Sequence, residues 1–139
     1  MAELCRQSPI QIGLDEELIG INSGKEMQKL LETIRPAYLI LKPSLHGGFT
    51  GCEKWIEQAE KIGSGWWITS ALESNIGLNA IAQWTFHLNA KNEQGLGTGQ
   101  LFTNNFDSPL EITGDQLWFR PEKNWNFQNL QNSNSDEDF

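Results

Sequence analysis

The sequence predicts an α/β protein built from repeated strand–helix units with parallel strands. Three observations carry that reading: short apolar runs end in polar or charged residues, helix-start signals follow them, and the distance between run ends is nearly constant. Asp15 to Lys42 is 27 residues, Lys42 to Ser70 is 28, and Ser70 to Gly97 is 27. A complete (β/α)8 barrel runs to about 250 residues, or roughly 30 per unit, so four such units make about half of one. A four-stranded doubly wound sheet is the competing architecture.

In chain order, Ile10, Ile12 and Leu14 alternate with Gln11 and Gly13, which reads as a strand near 10–14 that stops at Asp15-Glu16-Glu17. Ser23-Gly24-Lys25-Glu26 is a capping box, Met27, Leu30, Leu31 and Ile34 follow on one helical face, and Pro36 ends that helix. The second strand, 38–42, opens with the continuous apolar run Tyr38 to Leu41, which suits a strand covered on both faces. Pro43 limits further pairing, and Gly47-Gly48 permits a tight loop that a ligand can approach closely. A second capping box, Thr50 to Glu53, precedes Cys52, Trp55, Ile56 and Ala59.

After Gly63 and Gly65, the third strand, 66–70, runs into Ala71-Leu72-Glu73-Ser74-Asn75, and a helix follows from about Gly77 to Leu88. Trp66 and Trp67 read as packing residues. A fourth short strand is expected around 95–99, where glycines suit a backbone packed close to a ligand. Leu110 to Phe119 reads as an extended return segment with a turn at Gly114-Asp115. Residues 1–120 are thus expected to form the folded part, and 121–139, rich in Asn, Gln and acids, a poorly ordered tail.

A net charge of −8 without a basic stripe argues against nucleic acid as a partner. No stretch reaches the roughly 18 apolar residues of a membrane span, and the first residues lack the apolar core of a signal peptide. Cys5 and Cys52 are isolated thiols without metal-type spacing, which fits a reducing cytoplasm.

In a parallel barrel all strand carboxyl ends converge on one mouth, so Asp15, Lys42, Ser70 with Glu73, and the Gly97 loop are expected to share a face. Asp15 there offers one oxygen ligand to a hard divalent cation, although one carboxylate does not make a metal site. A desolvated Lys42 suits a proton donor, an electrostatic partner for an enolate, or a Schiff-base nucleophile, and spacing does not choose among them. His46 and His87 end no strand and read as loop and helix-surface residues.

The succession Gly13-Leu14-Asp15-Glu16-Glu17-Leu18, Leu39-Ile40-Leu41-Lys42-Pro43-Ser44-Leu45-His46-Gly47-Gly48, Ile68 to Leu78 and Gly95-Leu96-Gly97-Thr98-Gly99-Gln100-Leu101-Phe102 resembles the C-terminal half of the o-succinylbenzoate synthases. These belong to the muconate-lactonizing-enzyme-like group of the enolase superfamily. The resemblance spans about residues 10 to 119 and implies strands five to eight of a (β/α)8 barrel. It implies that Asp15 is a carboxylate ligand of a catalytic Mg2+ and that Lys42 is an active-site lysine facing the substrate across from the proton-abstracting base. Ser70, Glu73, Gly47 and Gly97 are the implied substrate-binding positions, and 110–119 the return to a capping domain.

The family's reaction is the dehydration of 2-succinyl-6-hydroxy-2,4-cyclohexadiene-1-carboxylate to o-succinylbenzoate in menaquinone synthesis, with magnesium holding an enediolate. Nothing in this chain matches the capping domain, the first four strands, the Lys-x-Lys motif or the other two metal carboxylates. The implied partners are therefore a small-molecule carboxylate substrate and either the missing N-terminal half or a second copy. N-succinylamino acid racemase is the enzymatic alternative. A non-catalytic half-barrel that pairs its exposed strand edges with a partner chain is the alternative of another class.

Overall fold

The computed structural model describes residues 1–128. They fall into two compact units, one of residues 1–71 with 88–95, the other of 72–87 with those from 96 on. The first unit holds a sheet of three parallel strands, β1 (Gly13–Leu14), β2 (Tyr38–Leu41) and β3 (Gly65–Ile68), adjacent in that order. Leu14 lies opposite Leu39, and Leu41 opposite Ile68. Helices α1 (Ala2–Gln7), α2 (Gly24–Ile34) and α3 (Gly48–Lys61) belong to the same unit, α2 packing on α3 and α3 on β2 and β3. The six-residue α1 buries none of its residues, and no periodicity in the sequence announces it.

Leu14, Leu39, Leu41 and Ile68 are fully buried together with Met27 and Leu31 of α2 and Cys52, Trp55 and Ala59 of α3. Tyr38 and Ile40 are only half-buried, so the apolar run of β2 is fully covered at alternate residues alone. The ring of Tyr38 sits 5.5 Å from that of Trp67 on the neighbouring strand. Gly65 is required there, because a Cβ at that position would come within 2.6 Å of the Tyr38 ring.

Ser23 caps α2 as expected, its Oγ accepting from the Glu26 N–H at 3.3 Å and donating to the Glu26 carboxylate at 2.6 Å. Arg35 closes the helix in the left-handed conformation, φ 51°. The second capping box is not used. α3 begins at Gly48, because Gly47 (φ 81°) and Gly48 (φ 72°) turn the chain before Thr50 is reached.

Two strand expectations are corrected. The first strand is confined to Gly13–Leu14, because the Ser8 hydroxyl accepts from the Ile10 N–H and donates to its carbonyl, leaving Ile10 outside the ladder and 74% exposed. The fourth strand, 95–99, reduces to one parallel bridge between Gly95 and Thr69. There the Gln94 side chain takes the Ile68 N–H, a backbone donor that a strand would have paired. Gly97 begins a 3-10 turn, Gly97–Gln100, rather than extended backbone.

The second unit holds α4 (Asn75–His87) and an antiparallel hairpin of β4 (Leu110–Thr113) and β5 (Gln116–Phe119). Gly114 takes φ 64° in the hairpin turn, where the sequence placed one. The Asn75 amide nitrogens donate to Asn105 Oδ1 and to the Phe106 carbonyl, tying the start of α4 to that loop. Of the expected tail, residues 121–128 are described. Asn126 bridges to Asp107, and the rings of Trp125 and Phe127 stack 5.6 Å apart. The remainder, 129–139, lies outside the described residues.

Candidate functional site

Asp15 and Lys42 are the first residues beyond β1 and β2, and parallel pairing of those strands brings the two together. Lys42 Nζ lies 2.7 Å from Asp15 Oδ1 and 2.8 Å from Oδ2, the hydrogen bond going to Oδ2. The Lys42 side chain is 16% exposed and that of Asp15 is 35% exposed. Water reaches the carboxylate, so screening keeps the pair near the about 0–1 kcal/mol of surface ion pairs. Its significance is therefore placement: an ammonium and a carboxylate are fixed side by side at the carboxyl ends of adjacent strands, where parallel α/β folds carry their chemistry.

The chain positions Asp15 by leaving the strand. Its backbone, at φ −124° and ψ −89°, starts a 3-10 turn, Glu16–Leu18, anchored by the fully buried Leu18, and its N–H donates to Glu17 Oε2. Lys42 is followed by a turn in which its carbonyl accepts from the Leu45 and His46 N–H groups. His46, read from the sequence as a loop residue, is 3% exposed, and its Nδ1 accepts from the Lys42 N–H at 2.9 Å. Its Nε2 is buried without a hydrogen-bond partner. Burial pushes the His46 pKa below its ordinary value; Asp15 pulls it up and Lys42 pushes it further down.

Ser70 lies in the same unit as this pair and is buried. Gly47, exposed, is the left-handed residue that opens α3. Glu73 and Gly97 fall in the second unit. Glu73 packs close to Gly77, where a Cβ would meet the Glu73 Cβ at 2.8 Å. A cavity of about 390 Å³ is lined by Tyr38, Ser64, Gly65 and Trp66 among others, at the opposite strand ends from Lys42, and shares no residue with the ion pair.

Whether these residues suit a divalent cation is decided by the donor set. Both Asp15 carboxylate oxygens stand within 2.8 Å of the Lys42 ammonium, so a hard cation would have to displace that ammonium to gain an Asp15 oxygen. The surroundings of Asp15 do not complete a ligand set: among the described residues no group of three His, Cys, Asp or Glu is placed to hold a metal ion. Asp15 therefore fits as one ligand and no more.

No protein-family model matches the chain. The crystal structure of MenC from Desulfotalea psychrophila LSv54 matches with a TM-score of 0.79 and 56% identity over 84% of this chain and 32% of that one. Muconate lactonizing enzyme from Pseudomonas putida matches with a TM-score of 0.74 and 21% identity over 96% of this chain and 37% of that one, a likeness of fold. The class so defined is the mixed α/β architecture of the muconate-lactonizing-type enzymes.

Sequence narrows it. The o-succinylbenzoate synthase of Desulfotalea psychrophila is 56% identical over 84% of this chain, and that of Yersinia pseudotuberculosis serotype O:3 is 30% identical over 85%. The chain is thus a homologue of the o-succinylbenzoate synthases, spanning about a third of the length of the curated relatives it matches, 32% and 38% for these two.

Proposed function

We propose that this chain supplies the Asp15 and Lys42 side of an o-succinylbenzoate synthase site. The observation that carries the reading is the 2.7 Å ion pair at the ends of two adjacent parallel strands. In this reading β1, β2, β3 and the Thr69–Gly95 bridge are strands five to eight of a (β/α)8 barrel, whose remaining strands come from a complementary segment. Two free cysteines, and described helices none of which is long and apolar enough to cross a membrane, suit an enzyme of the cytoplasm.

The reaction removes the proton beside the substrate's carboxylate and expels the ring hydroxyl as water, leaving an aromatic ring. Lys42 is the electrostatic residue: its ammonium, held by Asp15 and largely shielded, stands ready to stabilise negative charge as the C–H bond breaks. An ammonium near the ring face also attracts the π system that forms. Asp15 would hold a magnesium ion through its carboxylate, with further carboxylates of the complementary segment completing the ligand set. When bound, that ion stabilises charge on the substrate's carboxylate oxygens. Ser70 and the backbone at Gly47, in the same unit as the ion pair, bind and orient the substrate.

The test joins this chain to the part of the Desulfotalea relative that it does not match, by fusion or by co-expression, and assays water loss from the cyclohexadiene carboxylate. Magnesium-dependent formation of the aromatic product is expected. An assembly that folds but forms no product, under conditions where the intact relative does, would overturn the proposal.

A further inference from the structure

We infer that His46 is the positioning residue for Lys42: a neutral imidazole, protonated on Nε2, that takes up a strand-end amide left without a ladder partner and so aims the ammonium at Asp15. The Tyr38 N–H donates to the Ile12 carbonyl, so by the two-residue repeat of a strand the N–H groups of residues 38, 40 and 42 point toward β1. β1 stops at Leu14 and Asp15 turns out of the sheet, so no strand carbonyl is offered at the level of Lys42.

An amide shielded from water and left without an acceptor destabilises the fold. His46 Nδ1 supplies the acceptor at 2.9 Å, four residues further along. The Lys42 carbonyl accepts from Leu45 and His46 at 2.9 and 3.0 Å. Both backbone groups of Lys42 are therefore held by one turn, and the direction of its side chain follows from that hold.

The backbone of His46 is itself held by close packing against α3. A Cβ at Gly51 of α3 would lie 1.9 Å from the His46 carbonyl oxygen, so the helix presses against the turn with no room to spare. An Nδ1 that accepts must be unprotonated, which places the proton on Nε2 and leaves the ring uncharged. Uncharged is also what its burial favours, since a shielded site disfavours an imidazolium.

The catalytic consequence rests on the function proposed above, whereas the structural part does not, and the experiment separates the two. Asn carries its amide oxygen where His carries Nδ1, whereas Gln reaches only to the Nε2 position. In the full chain, long-range proton–nitrogen correlation should show His46 as the Nε2–H tautomer, and exchange of the Lys42 amide should be slow in the wild type and in His46→Asn. It should be about 10-fold or more faster in His46→Gln and His46→Phe. An Nδ1–H tautomer, or equal protection of the Lys42 amide in the Asn and Gln variants, overturns the inference whatever the activity.

In the assembled enzyme, displacing a charged group by a fraction of an ångström to 1 Å costs up to about 100-fold. His46→Gln should lower kcat by about 10- to 100-fold with KM changed less than about twofold, and His46→Asn should recover most of the loss. Equal kcat in all three proteins overturns the positioning role. If the wild-type assembly is inactive while the tautomer and amide results hold, the proposed reaction is at fault and the anchoring of Lys42 stands.

Discussion

Lys42 is where a single substitution separates the catalytic reading from a solvated lysine. Losing a preorganised charge beside a developing anion costs on the order of 100- to 1000-fold in turnover, so Lys42→Ala in the assembled enzyme should lose that much. Lys42→Arg should fail as well, because a planar guanidinium does not replace a compact ammonium. Near wild-type kcat in Lys42→Ala would refute the assignment. His46 makes a second test, by pH. Its folded pKa lies below the ordinary value of 6.5, chiefly because burial disfavours the charged ring. The unfolded chain therefore binds more protons just below 6.5, so the stability tied to a neutral His46 is full above that value and is lost as pH falls through the folded pKa. Denaturant midpoints should fall from pH 7 to 5, and His46→Asn should flatten that part of the curve; an unchanged slope would refute it. Asp15 and Lys42 were legible in the sequence because each ends a strand. His46 was not, since its importance comes from an amide that β1 leaves unpaired, and that depends on where another strand stops.

Among the elements, those with a local cause were the legible ones. Ser23 is followed by an apolar face of the right period, and α2 starts where that cap places it. Ser23→Ala should lower stability by about 1 kcal/mol, read as a shifted urea midpoint at constant slope; no shift would mean that packing of Met27 and Leu31 alone sets the helix start. Trp55→Ala should cost more, about 3–5 kcal/mol, because its ring is fully buried. β2 and β3 were legible from their apolar runs, and the hairpin turn from Gly114-Asp115. The failures share a cause of another kind. Thr50 to Glu53 has the letters of a capping box, but two glycines upstream had already turned the chain. Ile10 has the alternation of a strand, but the Ser8 hydroxyl claims both of its backbone groups. The glycines from 95 to 99 were read as a strand packed close to a ligand, yet only Gly95 pairs, against Thr69. In each case a nearby side chain or a permissive backbone outcompeted the pattern.

On the scale of the whole molecule, the repeat of 27 to 28 residues placed Asp15 and Lys42 directly after β1 and β2, whereas Ser70 stands two residues beyond the end of β3 and Gly97 falls in a 3-10 turn. A repeat reports the topology of units, whereas strand length depends on local competition for hydrogen bonds. The same arithmetic bears on metal binding. Among the described residues no group of three carboxylates, His or Cys is placed to hold a metal ion, and an ammonium already stands against both oxygens of Asp15. Because a hard cation needs several oxygen ligands, the chain by itself should bind magnesium only at about millimolar concentration or above. Lys42→Met in the isolated chain removes the competing ammonium, so titration calorimetry should show affinity raised several-fold, though still weak. Assembly with the complementary segment should tighten binding far more, as two further carboxylates would add both charge and geometry, and Asp15→Asn should undo much of that gain. Tight one-to-one binding by the isolated chain would mean that Asp15 belongs to a different ligand set. An assembly that binds magnesium equally well with Asp15→Asn would remove Asp15 from the metal altogether, leaving it only as the counter-ion that steers Lys42.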